Sequence, residues 1–435
     1  MPLNFTNIDS FIEKHREVMN EKVLLRRERA RVLTQLGKVI RAVLKDYETF
    51  EAELSSLVTD IREKSKTLEQ LRDYHELAIA GIESFFHEED TISDVHDIFR
   101  IVRDALTTRI MQFVEEEMIA EGYGQPPVDY VWAGMGSEGR DEQTIITDQD
   151  NLLLYNDTND DFASKELKDK CYAHLKGKDS ALSRDTLTSK EYLDYYFEVF
   201  ARKASDNLHT VGFERCKGGV MAINQKWRGS LKDWQARIEE GIIFEKGIFE
   251  PLDVIILTDA RAIYGNYKLL DVFLDYFFSM VTENKRFMKD FIKSAVLMPN
   301  ALGFFGNFKV EKEGEFKGKF NLKLLGWAPL ILSVRMTCLA SGIYEKNTLK
   351  RIGILRGKKI IKKDMEKNLI DAYLIFVRFR LMNQINAGKD IESISNYLKP
   401  DMLGQDEQEK LRRAMKTVES FQKYIQETLL FGEAI

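Results

Sequence analysis

No proline interrupts the chain between Pro2 and Pro126, and that absence leaves the first quarter of the molecule free to run as long helix. Apolar residues in it recur at three- and four-residue spacing: Val32, Leu36, Val39, Ile40, Val43 and Leu44, then Phe50, Leu54, Leu57, Val58, Ile61, Leu68 and Leu71. The pattern predicts long amphipathic helices from residue 8 to about 90, packed as a hairpin or small bundle. Such an arm either dimerises the chain or regulates it. "SDVHDIFRIVRDALTTRIMQFVEEEMIAEGYG" continues as helix, with Ser93 as its cap and Gly122 or Gly124 as its stop.

Gln125-Pro126-Pro127 breaks this regime. "VDYVWAGM" is β-branched and aromatic and ends in glycine, so it predicts a strand feeding a turn. "TDQDNLLLYND" predicts a second strand, and helices follow around 162–176 and 189–208. Val254 to Leu257, inside "FEPLDVIILTDARAIYG", predicts a further strand with Asp259 at its end. Beyond Asn266 the pattern is helical again, through segments around 329–343, 364–387 and 406–430. The expected fold is α+β. A helical arm over 1–90 precedes a small mixed sheet with flanking helices over 91–265, and a helical bundle occupies 266–435.

A formal charge of −6 argues against a nucleic-acid partner. Cys171, Cys216 and Cys338 form no CxxC pair, which argues against a disulfide framework and a structural zinc site. The N-terminus has no basic-then-apolar leader, and no uninterrupted apolar run approaches the roughly 18 residues of a membrane span. The expectation is a cytoplasmic protein without membrane contact.

The chemistry concentrates in "GMGSEGRDEQTIITDQDNLLLYND", residues 134–157. On a strand, residues two apart share a face, so Asp148 and Asp150 present paired carboxylates. Such a pair repels itself, and a divalent cation relieves the repulsion. Magnesium suits it, with manganese as the alternative, because it takes hard oxygen ligands and keeps positions for substrate phosphates. Gly136 lets the backbone approach a phosphate closely, Ser137 adds a hydroxyl, and Arg140 adds a charge-assisted contact. Together these parts describe transfer of a nucleotidyl group from a triphosphate.

Gly136-Ser137, ten intervening residues and Asp148-x-Asp150 resemble the signature of the polymerase-β nucleotidyltransferase superfamily. "GSEGRDEQTIITDQDNLLLY" is similar to the nucleotidyltransferases related to bacterial PII uridylyltransferase, which often carry CBS or cyclic-nucleotide-binding domains. The resemblance continues in "GFERCKGGVMAINQKWRGSLKDW", "IILTDARAIYG", "NLKLLGWAPLILSVRMTCLASGI", "NTLKRIGIL" and "DAYLIFVRFRLMNQ", and so covers residues 90 to 390. It implies that Asp148, Asp150 and Asp259 are catalytic metal ligands and that Gly136 and Ser137 hold phosphates. It also implies a bundle that closes over the nucleotide, UTP or ATP as donor, a protein hydroxyl as acceptor and a role in signal transduction. Two positions depart from the family pattern: Ala262 replaces a proline, and Lys217 stands in a "CKGG" where "CPGG" is commoner.

Other residues carry two readings. Arg228 is a phosphate contact or a structural cation, and Trp227 is core or a base-stacking platform. His209 could face the cleft or simply belong to the surface. Arg335, Lys350 and Arg351 are candidates to reach the nucleotide from the bundle. A small-molecule acceptor and a non-catalytic nucleotide-binding regulator remain the alternatives to a protein nucleotidyltransferase.

Overall fold

The computed structural model describes residues 26–89, 92–146, 148–178, 183–243, 251–303, 306–387 and 396–430. The fold is α+β, strongly helical, with small mixed sheets. It divides into two compact units, one up to Leu106 and one from Thr107 onward.

In the first unit, α1 (Arg26–Thr59) runs through a π-helical turn (Asp60–Lys64) to α2 (Leu68–Glu89) and the start of α3 (Ile92–Ala120). Residues 8–25 of the expected arm lie outside the described residues, and Ser93, expected as a cap, instead lies within α3, which begins at Ile92. Ile61, Leu71, Val95 and Phe99 form its core, and Arg103 donates from Nε to His75 Nε2 at 3.3 Å while lying over Phe99. Much of α1 lacks such cover, with Leu33, Ile40 and Leu44 exposed.

The second unit is built on a four-stranded sheet in the order β5-β3-β1-β6: β1 (Tyr130–Gly134), β3 (Asn151–Tyr155), β5 (Arg228–Ser230) and β6 (Arg261–Gly265). The short β2 (Asp148–Gln149) pairs separately, in parallel, with β4 (Glu214–Arg215). Every residue of β1 and β3 is buried, so "YVWAG" and "NLLLY" show no polar alternation and form the centre of the sheet. β1 runs antiparallel to β3 and to β6, and β3 runs parallel to β5.

Of the helices around the sheet, α4 (Gly136–Gly139) is a single turn and α5 (Lys165–Lys178) packs on α6 (Ser189–Val211). α6 starts in a Thr188/Glu191 capping box and stops at left-handed Gly212. It stacks Phe197 on Tyr155 and sets Phe200 edge-on to Tyr130. α7 (Leu231–Ile242) starts in a Ser230/Asp233 box.

The strand expected over Val254–Leu257 is instead helix α8 (Pro251–Leu257). Pro251 occupies the first helical position, and a run as short as "VIIL" suits either structure. The strand begins later, at Arg261, so Asp259 sits in the turn before β6.

At the expected boundary of 265/266, β6 passes through the Asn266 cap into α9 (Tyr267–Glu283), which packs against β1, β3 and β6. The bundle continues with α10 (Lys285–Val296), α11 (Ala328–Ala340), α12 (Thr348–Gly357), α13 (Lys363–Ala387) and α14 (Gln405–Ile425). Leu411, Ala414, Met415, Val418 and Phe421 give α14 one buried stripe, at helical spacing. The small β7 (Phe320–Asn321) and β8 (Tyr397–Leu398) pair beside a π-helical turn, Lys323–Trp327, that leads into α11. Lys323–Ala340 is long and apolar enough to cross a membrane by length and composition, although Lys323 begins it and Arg335 interrupts its apolar run, and 72% of it is buried within the fold. Gly326 permits that packing: a Cβ there would lie 2.8 Å from Met415 and 3.0 Å from Phe376.

Candidate active site

β1 ends at Gly134, and the chain turns at Gly136 with φ +56° into α4. The Met135 N–H donates to the Asp150 carbonyl at 2.7 Å, so the turn is tied to the start of β3. A Cβ on Gly136 would lie 2.4 Å from Asp150 Oδ2. Only glycine both accepts the left-handed backbone and leaves room for that carboxylate. Gly136→Ala is therefore expected to move the Asp150 carboxylate and to strain the turn, the backbone alone costing about 1–2 kcal/mol. Metal affinity by calorimetry and Tm should fall together.

Asp148 and Asp150 do not lie on one continuous strand. Asp148 belongs to β2, the Asp150 N–H donates to the Asp148 carbonyl at 3.1 Å, and β3 starts at Asn151. Between them the buried Gln149 is anchored by its amide to the carbonyls of Ser205 and Phe213. Both aspartates stay partly accessible. Burial, and then the charge of Asp148, pushes the Asp150 carboxyl up to about 6, while the Cys216 thiol, Lys323 and Arg140 act against that rise. A divalent cation fits the pair, because it would remove the repulsion that raises Asp150.

Cys216 and Lys323 are site residues that the sequence reading missed. Burial pushes the Cys216 thiol up to about 11, with Asp150 adding to the rise. Lys323, the first residue of the π-helical turn, lies within electrostatic reach of Asp148 and Asp150. Burial lowers its pKa, and neighbouring Arg380 lowers it further. Arg380 lies over the Trp327 ring at 4.5 Å, and burial pushes its guanidinium down to about 10. Arg140 lies 5.2 Å from the same ring. The bundle thus adds two cations beside the aspartates. Their only signal in the sequence was their place in the blocks "NLKLLGW" and "DAYLIFVRFRLMNQ", where neither residue has a periodic or pairwise mark. Gln384 of α13 also exchanges hydrogen bonds with the Ile146 backbone, which fixes the approach to Asp148.

Asp259 is not part of this cluster. It is fully buried, and its Oδ2 accepts from Arg140 Nη1 at 2.5 Å and from Arg335 Nη2. Arg351 Nη2 lies 3.5 Å from its Oδ1. Among the described residues no three His, Cys, Asp or Glu side chains gather to hold a metal, so the expected third ligand is not brought to the pair. Three guanidiniums already occupy its oxygens.

Arg140 is committed likewise, with Nε bonded to Glu142 Oε2 at 2.8 Å. Burial opposes its charge, but Asp259 and Glu142 outweigh that and raise its pKa. Glu142 Oε1 accepts from the Thr348 N–H, which docks α12 on the α4 turn. Arg335 and Arg351 therefore lock the bundle to the sheet through Asp259, while Lys350 is exposed.

Ser137 is half-buried beside Gly136 at the start of α4. Arg228 lies elsewhere. It sits opposite Leu153 on β5 and bonds the carbonyls of Ala222 and Ile223. Trp227 is core, tilted against Trp234, and His209 is exposed.

Two family models match the chain. "Putative nucleotidyltransferase DUF294" matches residues 80–246, and "Putative nucleotidyltransferase substrate binding domain" matches residues 285–429. The chain belongs to this nucleotidyltransferase family. The first match contains Gly136, Ser137, Asp148 and Asp150, and the second contains Lys323 and Arg380. The chain matches no curated protein in sequence.

Proposed function

We propose that the chain transfers a nucleoside monophosphate from a nucleoside triphosphate, UTP or ATP, to a hydroxyl on a protein. The observation that supports this is the carboxylate pair Asp148–Asp150 set against the Gly136-Ser137 turn on one side and the Lys323 and Arg380 cations on the other. Asp148 and Asp150 would hold magnesium or manganese, which supplies charge neutralisation at the phosphates when bound. Lys323 and Arg380 add positive charge where a triphosphate would lie, and Gly136 lets the backbone approach it. The acceptor oxygen forms a bond to the α-phosphorus, and the bond from that phosphorus to the bridging oxygen breaks. Pyrophosphate leaves with the electron pair, and the acceptor's proton passes to water. The family name given to the second match suits a bundle that positions the acceptor.

A second reading, a nucleotide-binding regulator without turnover, draws on the engagement of Asp259 by arginines, which leaves two carboxylates for a metal. Purified protein incubated with magnesium, each α-labelled triphosphate in turn and a lysate of its native host separates the two. Label on a protein, dependent on one triphosphate and lost in Asp148→Asn/Asp150→Asn, is the expected result. Metal-dependent nucleotide binding without label, to protein or small molecule, favours the regulator. Label on a small molecule alone would move the acceptor assignment.

A further inference from the structure

A cavity of about 650 Å³ lies on the α6 side of the sheet, between α6, the loop around Ile223 and Asn224, β5 and α7. Its size falls within the roughly 300–1,000 Å³ of small-molecule sites. Neither Asp148 nor Asp150 lines it.

Two guanidiniums form one wall. Arg228 is 7% exposed and donates from Nη1 to the carbonyls of Ala222 and Ile223. Arg237 donates from Nη1 to the carbonyls of Arg228 and Lys226. Among the described residues neither makes an ion pair, and in both cases the bonded partners are neutral carbonyls. A guanidinium carries five donors, and only Nη1 is engaged in each. Burial lowers the pKa of both, the expected result of taking two like charges from water without a bonded counter-ion.

Carboxylates also line the cavity. Asp194 accepts from the Tyr155 hydroxyl at 2.8 Å and from Lys190, and Glu198 accepts from Arg202. The cavity is therefore lined by two guanidiniums that make no ion pair among the described residues and by carboxylates, with Lys190 bonding Asp194 and Asp233, so it offers both basic and acidic groups. A small anion whose far end bears hydrogen-bond donors satisfies both.

We propose that this cavity is a second ligand site, for a small phosphorylated or carboxylated metabolite carrying hydroxyl or amino groups. The anionic group pairs with Arg228 and Arg237, and the donors bond Asp194 and Glu198. Its place against β3 and β5 lets occupancy bear on the strand that Asp150 immediately precedes. The assignment does not rest on the activity proposed above.

Ribose 5-phosphate, an anion with hydroxyl donors, is the probe, titrated by calorimetry without divalent metal into the full chain. Saturable binding is expected, unchanged in Asp148→Asn/Asp150→Asn. Arg237→Gln should weaken it about tenfold or more, the loss of one charge-assisted bond. Because Arg237 also braces β5, Ile223→Trp serves as the second variant: it fills the cavity, leaves both arginines in place and should weaken binding similarly. Circular dichroism establishes that each variant is folded. Ribose and inorganic phosphate, each satisfying one end, should bind more weakly than the probe. No saturable binding overturns the proposal, as does binding that both cavity variants retain or that the aspartate variant loses. Inorganic phosphate binding as tightly as the probe would overturn the two-ended assignment.

Discussion

Replacing Asp259 with Asn is expected to destabilise the second unit by about 3–5 kcal/mol, the usual result of removing one partner from a buried ion-pair network. The carboxylate is fully buried and is bonded by Arg140 and Arg335, with Arg351 at 3.5 Å. Arg140 would keep Glu142, and Arg351 would keep the Glu345 carbonyl. Arg335 would keep only the Ile255 carbonyl at 3.4 Å. Burial has already pushed its guanidinium down to about 9 even with Asp259 present. Urea denaturation of the single variant measures the loss. Adding Arg335→Met removes the stranded cation and should recover part of it, a coupling that a double-mutant cycle reads directly. The opposite result is equally informative. If Asp259→Asn kept wild-type stability and lost only transfer, the residue would be the third metal ligand that the resemblance implied, and the arginine cluster would have to open to release it.

That residue also marks where the sequence stopped being legible. The strands "YVWAG" and "NLLLY" were readable because short apolar and aromatic runs stand between glycine, proline and aspartate punctuation, and both fell where the pattern put them. The stripe of α14 was readable for the same kind of reason: its periodicity is local. "VIIL" was not, because four apolar residues carry no period, and Pro251 was the only mark of a helix start. At the site, the Gly136 turn and the aspartate pair were visible as a local motif. Where Asp259 points depends on Arg335 and Arg351, which lie 76 and 92 residues away in the chain. No spacing rule pairs charges over such distances. Lys323 was hidden in the same way, since its proximity to Asp148 and Asp150 arises from the packing of the bundle on the sheet. Arg228 carried two readings in the sequence, and only the fold shows that it sits on β5 opposite Leu153 and bonds the Ala222 and Ile223 carbonyls.

Asp150→Asn is expected to raise stability while lowering transfer by about 10²–10³-fold, the size found when one preorganised charge-stabilising group is removed from an active site. The stability gain follows from the raised carboxyl. An aspartate titrates near 3.9 in an unfolded chain, and Asp150 is pushed up to about 6 by burial and by Asp148. Folding therefore favours its protonated form, so ionising it at neutral pH opposes the fold. The two-unit difference corresponds to at most about 3 kcal/mol, reduced by the access of the carboxylate to solvent. This penalty is fully present above pH 6 and disappears below about pH 4, where the group is protonated in both states. The advantage of the Asn variant over wild type, measured as ΔTm in chelator, should accordingly be largest near pH 7 and shrink on acidification. Magnesium should then narrow the gap at pH 7 by stabilising wild type and not the variant, because a ligand that binds only the native site adds stability by mass action. Loss of stability in Asp150→Asn at pH 7 would mean that the carboxylate is held by favourable contacts instead of being strained beside Asp148. The pair would then be a structural feature and not a site kept ready for a cation.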